Sequence, residues 1–468
     1  MRPTADINGI EQPARVTRWA VTTFVVLFAM NLLDYLDRNI LMSMKPQIAS
    51  QIRMTDAQWG LLTSFFLVSY SLVSPAMGWL GDRYRRGRLL AIGVGLWSVA
   101  TVGSGLAQSY HQLALARSLL GIGEATYGVI APTILLDLFS REQRARLMSG
   151  FYLAMPLGSA LGMGLGAYIA KHHGWHVAFF LVGAPGFAAA LLALFLPEPV
   201  RGASEKVDVE RLVEHERAGA TREDYIDMMV NSSYTYSVFG MATYTFAIGG
   251  LLVWIPNYLF ETRGIEQSRA GMMLGLVTLV AAILGMSVGG WVADRLALKK
   301  PEALFFVPGV AMLGSIPFVV LGLLATSEPL IYAAIFAAET LMFINTGPCN
   351  AIIANVVQPN LRAAAYAIAI FGIHFLGDIW SPYLIGKAAD WFGDPLMMQS
   401  SVGLVLARIG ATPTQVSGHA PQNLVAGLLC VVPALLLSSI VLLSGVRHLP
   451  REMALMQAKL KAAPHHKV

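Results

Sequence analysis

The sequence predicts an all-α membrane protein built from two related halves, each a bundle of transmembrane helices. Of its 468 residues, 55% are hydrophobic and 13% are charged, whereas charged residues make up roughly a quarter of a soluble protein. About twelve apolar stretches have the ~20-residue length that a helix needs to cross the hydrocarbon core. The pattern Gly-Trp-x-x-Asp-Arg occurs at 78–83 and again at 290–295, which indicates an internal repeat.

The apolar stretches fall into two groups separated by a charged segment. The first group lies near 17–44, 57–81, 89–108, 111–139, 147–170 and 176–196, and the second near 234–260, 268–293, 303–325, 329–357, 363–390 and 421–446. Lipid offers the backbone no hydrogen-bond partners, so only helices and closed barrels cross it, and continuous apolar runs exclude alternating barrel strands. We therefore expect two bundles with the same number of helices.

This division sets the expected domain organisation. Residues 1–197 form the N-terminal bundle, 198–230 a cytoplasmic linker, 231–447 the C-terminal bundle and 448–468 a cytoplasmic tail. Most of the 33 Lys and Arg residues fall on the side that holds both termini, and the positive-inside rule makes that side cytoplasmic. The same asymmetry accounts for the net charge of +5, so no nucleic-acid partner is expected.

Metal and cofactor chemistry have little support in the sequence. Cys349 and Cys430 lie in different apolar stretches, which leaves neither a disulfide framework nor a metal spacing. His172, His173 and His176 share a short external loop without an acidic companion, and an exposed turn is the preferred interpretation over a metal site. A nucleotide-binding loop of the form G-x-x-x-x-G-K-S/T is absent from the sequence. No metal or cofactor is therefore expected.

Ionisable residues inside the apolar stretches are the strongest functional signal, because each costs roughly 2.5–3.5 kcal/mol at a helix centre on insertion scales. The ionisable candidates are Asp34, Asp37 and Arg38 in the first stretch, Arg117 and Glu124 in the fourth, Glu339 in the tenth, and His374 and Asp378 in the eleventh. The polar residue Asn345, also in the tenth stretch, is added to them. Such a set is more than packing requires, since small residues already allow close helix contact. It favours a shared polar cavity.

Two of these charges match in depth. At 1.5 Å per residue, Asp37 and Arg117 both lie about 10 Å below the outer end of their helices, and Glu124 lies near the middle. An ion pair between Asp37 and Arg117 is therefore geometrically possible. The alternative interpretation is that this pair only locks two helices together.

The functional hypothesis assigns Arg117 as the anchor for an anionic headgroup, and Asp37, Glu124 and Asp34 as proton-sensitive groups. If a headgroup draws the arginine away, a carboxylate left in a low dielectric tends to bind a proton. Substrate binding would then be coupled to protonation.

The remaining candidates are assigned to substrate binding: Arg38, Glu339, His374, Asp378 and Asn345. Glu339 either faces the cavity or accepts a partner from another helix. His374 with Asp378 is either part of the cavity or a plain interhelical contact.

The repeated motif is interpreted as a conformational latch between access states. An aspartate can meet a neighbouring helix N-terminus, and arginines can bridge helices. The candidate residues are Gly78, Asp82, Arg83, Arg86, Asp294 and Arg295. A plain positive-inside anchor would explain the arginines but leaves the two aspartates unexplained.

Longer runs resemble a known family. GWLGDRYRRGR resembles the signature loop between the second and third helices of the major facilitator superfamily. DYLDRN, ARSLLGIGEATYGVIAPTILLDLFSREQRAR and GIHFLGDIWSPYLIG resemble its Spinster branch, and the likeness covers essentially all the apolar stretches. The resemblance implies the major facilitator fold, with twelve helices in two six-helix bundles related by a pseudo-twofold axis.

The resemblance also implies a function. Family members are described as transporters of lysolipids and sphingoid phosphates, with proton coupling. The embedded acidic residue of the first helix matches Asp37, and the Arg and Glu of the fourth match Arg117 and Glu124. Glu339 matches less closely, because NTGPCNAIIANVV departs from the tenth-helix pattern of animal members. The compact loops resemble bacterial members, which implies the cell inner membrane.

The expected function is therefore secondary active transport of an amphipathic, anionic, lysolipid-like molecule by a monomer, using alternating access and driven by a proton gradient. The partners are a lysophospholipid or sphingolipid-like substrate and the surrounding membrane lipid. A proton-driven drug or organic-anion antiporter is the alternative. A membrane lipid enzyme lacks a Ser/His/Asp set, so the chain is not expected to be an enzyme. A transport-dead sensor is disfavoured by intact Asp37, Arg117 and Glu124.

Overall fold

The computed structural model describes residues 18–139, 150–196, 198, 222–357, 361–415 and 421–462. Within these ranges, 12 helices are long and apolar enough to cross a membrane, which confirms the predicted all-α fold class. Most of the predicted linker, together with the arginine-bearing turn at 140–149, lies outside the described residues.

The spans of the first half have few interruptions. Their helices are Arg18–Ile40, Asp56–Arg83, Arg86–Leu106, Tyr110–Leu138, Ala154–His173 and Trp175–Leu194. A 3-10 turn at Leu41–Ser43 and a short helix at Lys45–Gln51 connect the first span to the second. The fifth span begins at Gly150 and turns at Leu153 before its main helix.

In the second half, the last three spans are each split into two helices. The spans are Ser232–Glu261, Gln267–Ala297, Ala303–Leu324, Glu328–Phe343 with Thr346–Val356, Arg362–Leu376 with Ser381–Trp391, and Leu424–Leu429 with Val431–Gly445. Shorter helices outside the spans are Arg222–Val230, Pro395–Met398, Ser401–Arg408 and Leu449–Ala462.

Proline marks the place where each of these spans is interrupted. Pro348, Pro382 and Pro433 each lie just after a break. Proline lacks the N–H that would bond to the carbonyl four residues earlier, and its ring clashes with that carbonyl. Pro75 and Pro132, however, lie inside helices that stay continuous. Proline therefore permits a break without enforcing one.

Helix packing repeats between the halves. In the first half, the third span packs on the fourth and the sixth, and the second span packs on the fourth. In the second half, the ninth span packs on the tenth and the twelfth, and the eighth span packs on the tenth. Between the halves, the fifth span packs on the eighth and the second on the eleventh. Adding six to each span number of the contacts within the first half gives the contacts within the second half, as a pseudo-twofold axis requires.

The two ends of the molecule differ in how the halves meet. We call the end where the first span begins the near end, and the end with Ser43, Asp56 and Glu261 the far end. The second span packs along Ser381–Trp391, the far part of the eleventh, and barely touches Arg362–Leu376, the near part. The halves are therefore joined at the far end and separate towards the near end.

Glycines allow the closest helix crossings in the first bundle. A Cβ at position 123 would lie 2.7 Å from the Gly93 carbonyl oxygen and the Trp97 nitrogen of the third span. A Cβ at position 103 would meet no atom within 4 Å.

We expect Gly123→Val to destabilise the first bundle by about 1–3 kcal/mol, because overpacking forces the backbones of the third and fourth spans apart. Thermal unfolding in detergent, followed by tryptophan fluorescence, measures the loss. Gly103→Val is the matched control and should unfold at the parent temperature. Equal unfolding temperatures for the two variants would contradict the close crossing.

Candidate functional site

An ion cluster occupies the centre of the first bundle. The Arg38 guanidinium donates to Glu124 Oε2 from Nη2 at 2.8 Å and from Nε at 3.1 Å, and its Nη2 lies 3.4 Å from Asp34 Oδ2. Asp34 and Arg38 are one turn apart on the first span, and Glu124 comes from the fourth. We call these three residues the Arg38 cluster.

The two carboxylates of the cluster are almost completely buried, while the arginine is partly open. The side chains of Asp34 and Glu124 are 5% and 0% exposed, whereas that of Arg38 is 23% exposed. One oxygen of each carboxylate has no hydrogen-bond partner. A buried carboxylate is stable only when it is paired or protonated, so both acids depend on this arginine.

Aromatic rings surround the guanidinium of Arg38. Its Cζ lies 4.9 Å from the ring centroids of Tyr35 and Phe66, and 5.3 Å from that of Tyr70. A cation over aromatic faces is attracted by their quadrupoles, most strongly where water is excluded. The site therefore combines one partly exposed cation with aromatic walls.

Asp37 and Arg117 lie next to the cluster but do not form the ion pair that the sequence suggested. Asp37 is 1% exposed and accepts a hydrogen bond from the Thr101 hydroxyl of the third span. Arg117, also 1% exposed, donates from Nη2 to the Arg38 carbonyl oxygen at 3.4 Å, and its Nε and Nη1 have no partner. The ion pair between the first and fourth spans is therefore formed by Arg38 and Glu124 and does not include Arg117.

His374 and Asp378 form a polar pair on the eleventh span, in the second half. The His374 Nδ1 lies 2.9 Å and 3.0 Å from the two carboxylate oxygens of Asp378. The side chains of His374 and Asp378 are 33% and 15% exposed. Arg38, His374 and Asp378 are thus partly exposed charged or polar groups that come from both halves.

Glu339 and Asn345 lie deeper, inside the second bundle. Glu339 is 1% exposed and lines a cavity of about 20 Å³ whose other walls are apolar, among them Leu251, Val319 and Met342. Neither of its carboxylate oxygens has a hydrogen-bond partner among the described residues. Asn345 is 0% exposed and its Oδ1 accepts from the Cys349 thiol at 2.6 Å. Glu339 therefore lines this small apolar cavity and accepts no hydrogen bond from another of the described helices.

The latch candidates lie at the near end. Arg83 and Arg295 each fold back onto the tryptophan of their own motif copy, with Cζ 4.1 Å from the Trp79 ring and 5.7 Å from the Trp291 ring. Asp294 is exposed, and a Cβ at Gly78 would touch only Val129. The side chain of Asp82 lies outside the described residues.

Arg86 differs from the other motif arginines. It is 3% exposed, and its Nε lies 3.0 Å from Glu198 Oε1, just beyond the sixth span. It therefore tethers the third span within its own half.

A second polar cluster, at the far end, escaped the sequence interpretation. Lys45 lies between Asp56, Glu261 and Gln422, at 2.7 Å, 3.2 Å and 3.4 Å. These residues fall in loops or at helix ends, where charged side chains are common. They share no sequence motif that would point to a common site. Only the fold brings them together.

Sequence and structure comparisons identify the family. A Major Facilitator Superfamily profile matches residues 27–382. Protein spinster homolog 1 of Xenopus tropicalis is 36% identical over 390 residues, which cover 80% of this chain and 73% of the relative. The sphingosine-1-phosphate transporter SPNS2 of Danio rerio is 37% identical over 383 residues, covering 77% and 74%. This chain belongs to the Spinster branch of the major facilitator superfamily.

A solved structure shows the same fold. The crystal structure of a bacterial homologue of the human lysosomal transporter Spinster, in an inward-facing and unoccupied conformation, matches with a TM-score of 0.81 at 21% identity and covers 93% of this chain and 98% of that one. The predicted major facilitator fold is confirmed. The relatives of this Spinster-family chain are transporters and not enzymes, as the sequence led us to expect.

The Arg38 cluster yields a prediction for stability. Arg38→Met leaves Asp34 and Glu124 buried without their cation, and we expect a loss of about 3 kcal/mol. The triple variant Arg38→Met/Asp34→Asn/Glu124→Gln removes the unpaired charges and should recover most of it. Thermal unfolding in detergent measures both.

Arg53→Met, at an exposed arginine, is the matched control and should leave the unfolding temperature unchanged. A triple variant no more stable than Arg38→Met would show that the arginine acts through packing rather than through charge.

Proposed function

We propose that this Spinster-family transporter moves an amphipathic, anionic, lysolipid-like molecule by alternating access, coupled to protons. The observation that carries the proposal is the environment of Arg38: it is the partly exposed cation of the cluster, and it neutralises two buried carboxylates. An anionic headgroup reaching this cation would compete with those carboxylates for the same guanidinium.

Competition for Arg38 supplies the coupling. When a headgroup takes the hydrogen bonds of the guanidinium, Asp34 and Glu124 lose the charge that compensates them. Buried carboxylates without a cation gain stability by binding a proton. Substrate entry and proton uptake are thereby linked through one side chain.

The headgroup site revises the assignment made from sequence. Arg117 is 1% exposed, whereas the Arg38 side chain is 23% exposed, so Arg38 is the cation that a headgroup would reach first. Asp37, beside Arg117, retains its proposed role as a proton-sensitive group. His374 and Asp378 would contact the substrate from the second half.

The nature of the cargo follows from the walls of the site and from the relatives. Tyr35, Phe66 and Tyr70 place aromatic faces around the cation, an arrangement suited to a charged head joined to an apolar chain. One relative is a sphingosine-1-phosphate transporter. A lysophospholipid or a sphingolipid-like phosphate has both features.

The orientation in the membrane is also part of the proposal. The side that holds the termini carries most of the Lys and Arg residues, so the near end faces the cytoplasm. The open end is then the inner one, and the chain acts as a monomer in the cell inner membrane.

Transport in proteoliposomes tests the cargo. We expect a fluorescent lysophospholipid with an anionic headgroup to be moved faster under a proton gradient than without one, and Arg38→Gln to raise KM for it by about tenfold or more, because charge-assisted hydrogen bonds are lost. A neutral monoacylglycerol and an organic cation drug serve as comparisons. Faster movement of the drug than of the lysolipid would favour the antiporter alternative.

The proton-sensitive groups are tested by the pH profile of transport. Asp37→Asn and Glu124→Gln should flatten the dependence of the initial rate on pH, because each removes a group that exchanges its proton during the cycle. Glu223→Gln, at an exposed carboxylate outside the spans, is the matched control and should keep the parent profile. An unchanged profile in both Asp37→Asn and Glu124→Gln would refute proton coupling at this site.

A further inference from the structure

The far end holds a buried ion cluster built across the two halves. Lys45, from the loop after the first span, lies 2.7 Å from Asp56 Oδ1 at the start of the second span. It also lies 3.2 Å from Glu261 Oε2 at the end of the seventh span and 3.4 Å from Gln422 Oε1 before the twelfth. One amine therefore joins a carboxylate of its own half to two groups of the other.

The cluster extends to a helix terminus and an aromatic ring. Asp390, at the end of the eleventh span, accepts from the backbone N–H of Asp56 at 3.0 Å and of Ala57 at 2.9 Å. Its carboxylate thus caps a helix that belongs to the first half, in the position that a helix dipole favours. The Lys45 Nζ lies 5.0 Å from the centroid of the Trp254 ring.

These ions are shielded from water. The side chains of Lys45 and Asp56 are each 5% exposed and that of Glu261 is 3% exposed. In a low dielectric, removing one partner of such a set leaves an uncompensated charge, which is far costlier than losing an exposed pair. The shielding exists only while the two halves are in contact.

The lysine keeps its charge under all ordinary conditions. Burial favours the neutral amine, but the carboxylates of Asp56 and Glu261 outweigh it and raise the pKa of Lys45 above its usual value. The stabilisation from a raised pKa is present in full below the unfolded-state value and is lost only as pH rises through the folded one. Loss of the lysine's proton therefore does not open this cluster near neutral pH.

An exposed ion pair at the same end provides the contrast. Lys171 of the fifth span lies 2.9 Å from Glu266, just before the eighth, and the two side chains are 50% and 46% exposed. This pair also joins the halves, but water already solvates both of its charges. The Lys171 ammonium lowers the pKa of Glu266, and pairs of this kind contribute little to stability.

We propose that Lys45 is the central group of an interdomain lock, formed with Asp56, Glu261, Gln422 and Asp390, that holds the far end shut and sets the balance between the two access states. Opening the far end separates Lys45 and Asp56 from Glu261, Gln422 and Asp390. The closed state keeps these groups paired, and the open state must hydrate them. Lys45 acts on transport by positioning the two halves, without contact to the cargo, so the inference does not depend on the cargo's identity.

Thiol labelling from the far side tests the lock. Ser64 is 5% exposed, and its hydroxyl donates across the interface to the Ile379 carbonyl oxygen. It lies about 12 Å below the far end of the second span at 1.5 Å per residue. The parent for the experiment is Ser64→Cys in a background with Cys349→Ala and Cys430→Ala, labelled in oriented proteoliposomes by a charged, impermeant methanethiosulfonate.

Lys45→Met should raise the far-side labelling rate by about tenfold or more, because it leaves unpaired carboxylates in the closed state. Lys45→Arg, which keeps the cation, should restore most of the slow rate. Lys171→Met is the matched control and should stay within about twofold of the parent. The triple change Lys45→Met/Asp56→Asn/Glu261→Gln should label more slowly than Lys45→Met alone.

Two results would overturn the proposal: a parent labelling rate in Lys45→Met, or an equal rise in Lys171→Met. Should Lys45→Met fail to fold, as judged by size-exclusion chromatography, Glu261→Gln takes its place. A labelling rate above that of Lys171→Met then supports the lock, and a rate no higher refutes it. Because no cargo is added, a failed lysolipid assay and a failed labelling assay are distinguishable.

Discussion

The arrangement of the first bundle depends on the shortage of positive charge in its centre. Asp34 and Glu124 are buried in a membrane-spanning core where water cannot compensate them, and Arg38 is the cation that pairs with both. That one side chain forms the ion pair between the first and fourth spans. It is also the partly exposed cation of the cluster, which an anionic substrate would reach first under the proposed function. A group with both tasks cannot change partners without changing the energy of the bundle, and this is the physical basis of the coupling proposed here.

The architecture was accessible from sequence because the bilayer constrains it strongly. Apolar length alone locates a spanning helix, and the two Gly-Trp-x-x-Asp-Arg copies reveal the repeat. The interruptions were less accessible. Pro132 and Pro348 occupy matching places in the repeat, yet the fourth span is continuous and the tenth breaks before Pro348. Which proline breaks a helix depends on neighbours that a single sequence does not reveal.

The sequence could predict which residues belong to the polar site, but it could not predict which of them pair with one another. Depth along a helix follows from residue number, so Asp37 and Arg117 could be placed at one level and Glu124 near the middle of the membrane. Rotation about the helix axis does not follow, and it decides that Glu124 meets Arg38 while Arg117 donates to the Arg38 carbonyl oxygen. The Lys45 cluster was beyond sequence analysis altogether. Its members come from chain segments hundreds of residues apart, at helix ends where a charge carries no penalty that would mark it.

The split tenth, eleventh and twelfth spans have a mechanical consequence. A continuous helix transmits force as a stiff rod, whereas a helix broken at mid-height bends where its backbone hydrogen bonds are missing. The two halves share the same helix packing, but the helices of the second half are less stiff, so the repeat is symmetric in topology and unequal in stiffness. Under the alternating access proposed here, bending would therefore be concentrated in the C-terminal bundle, where these backbone breaks lie.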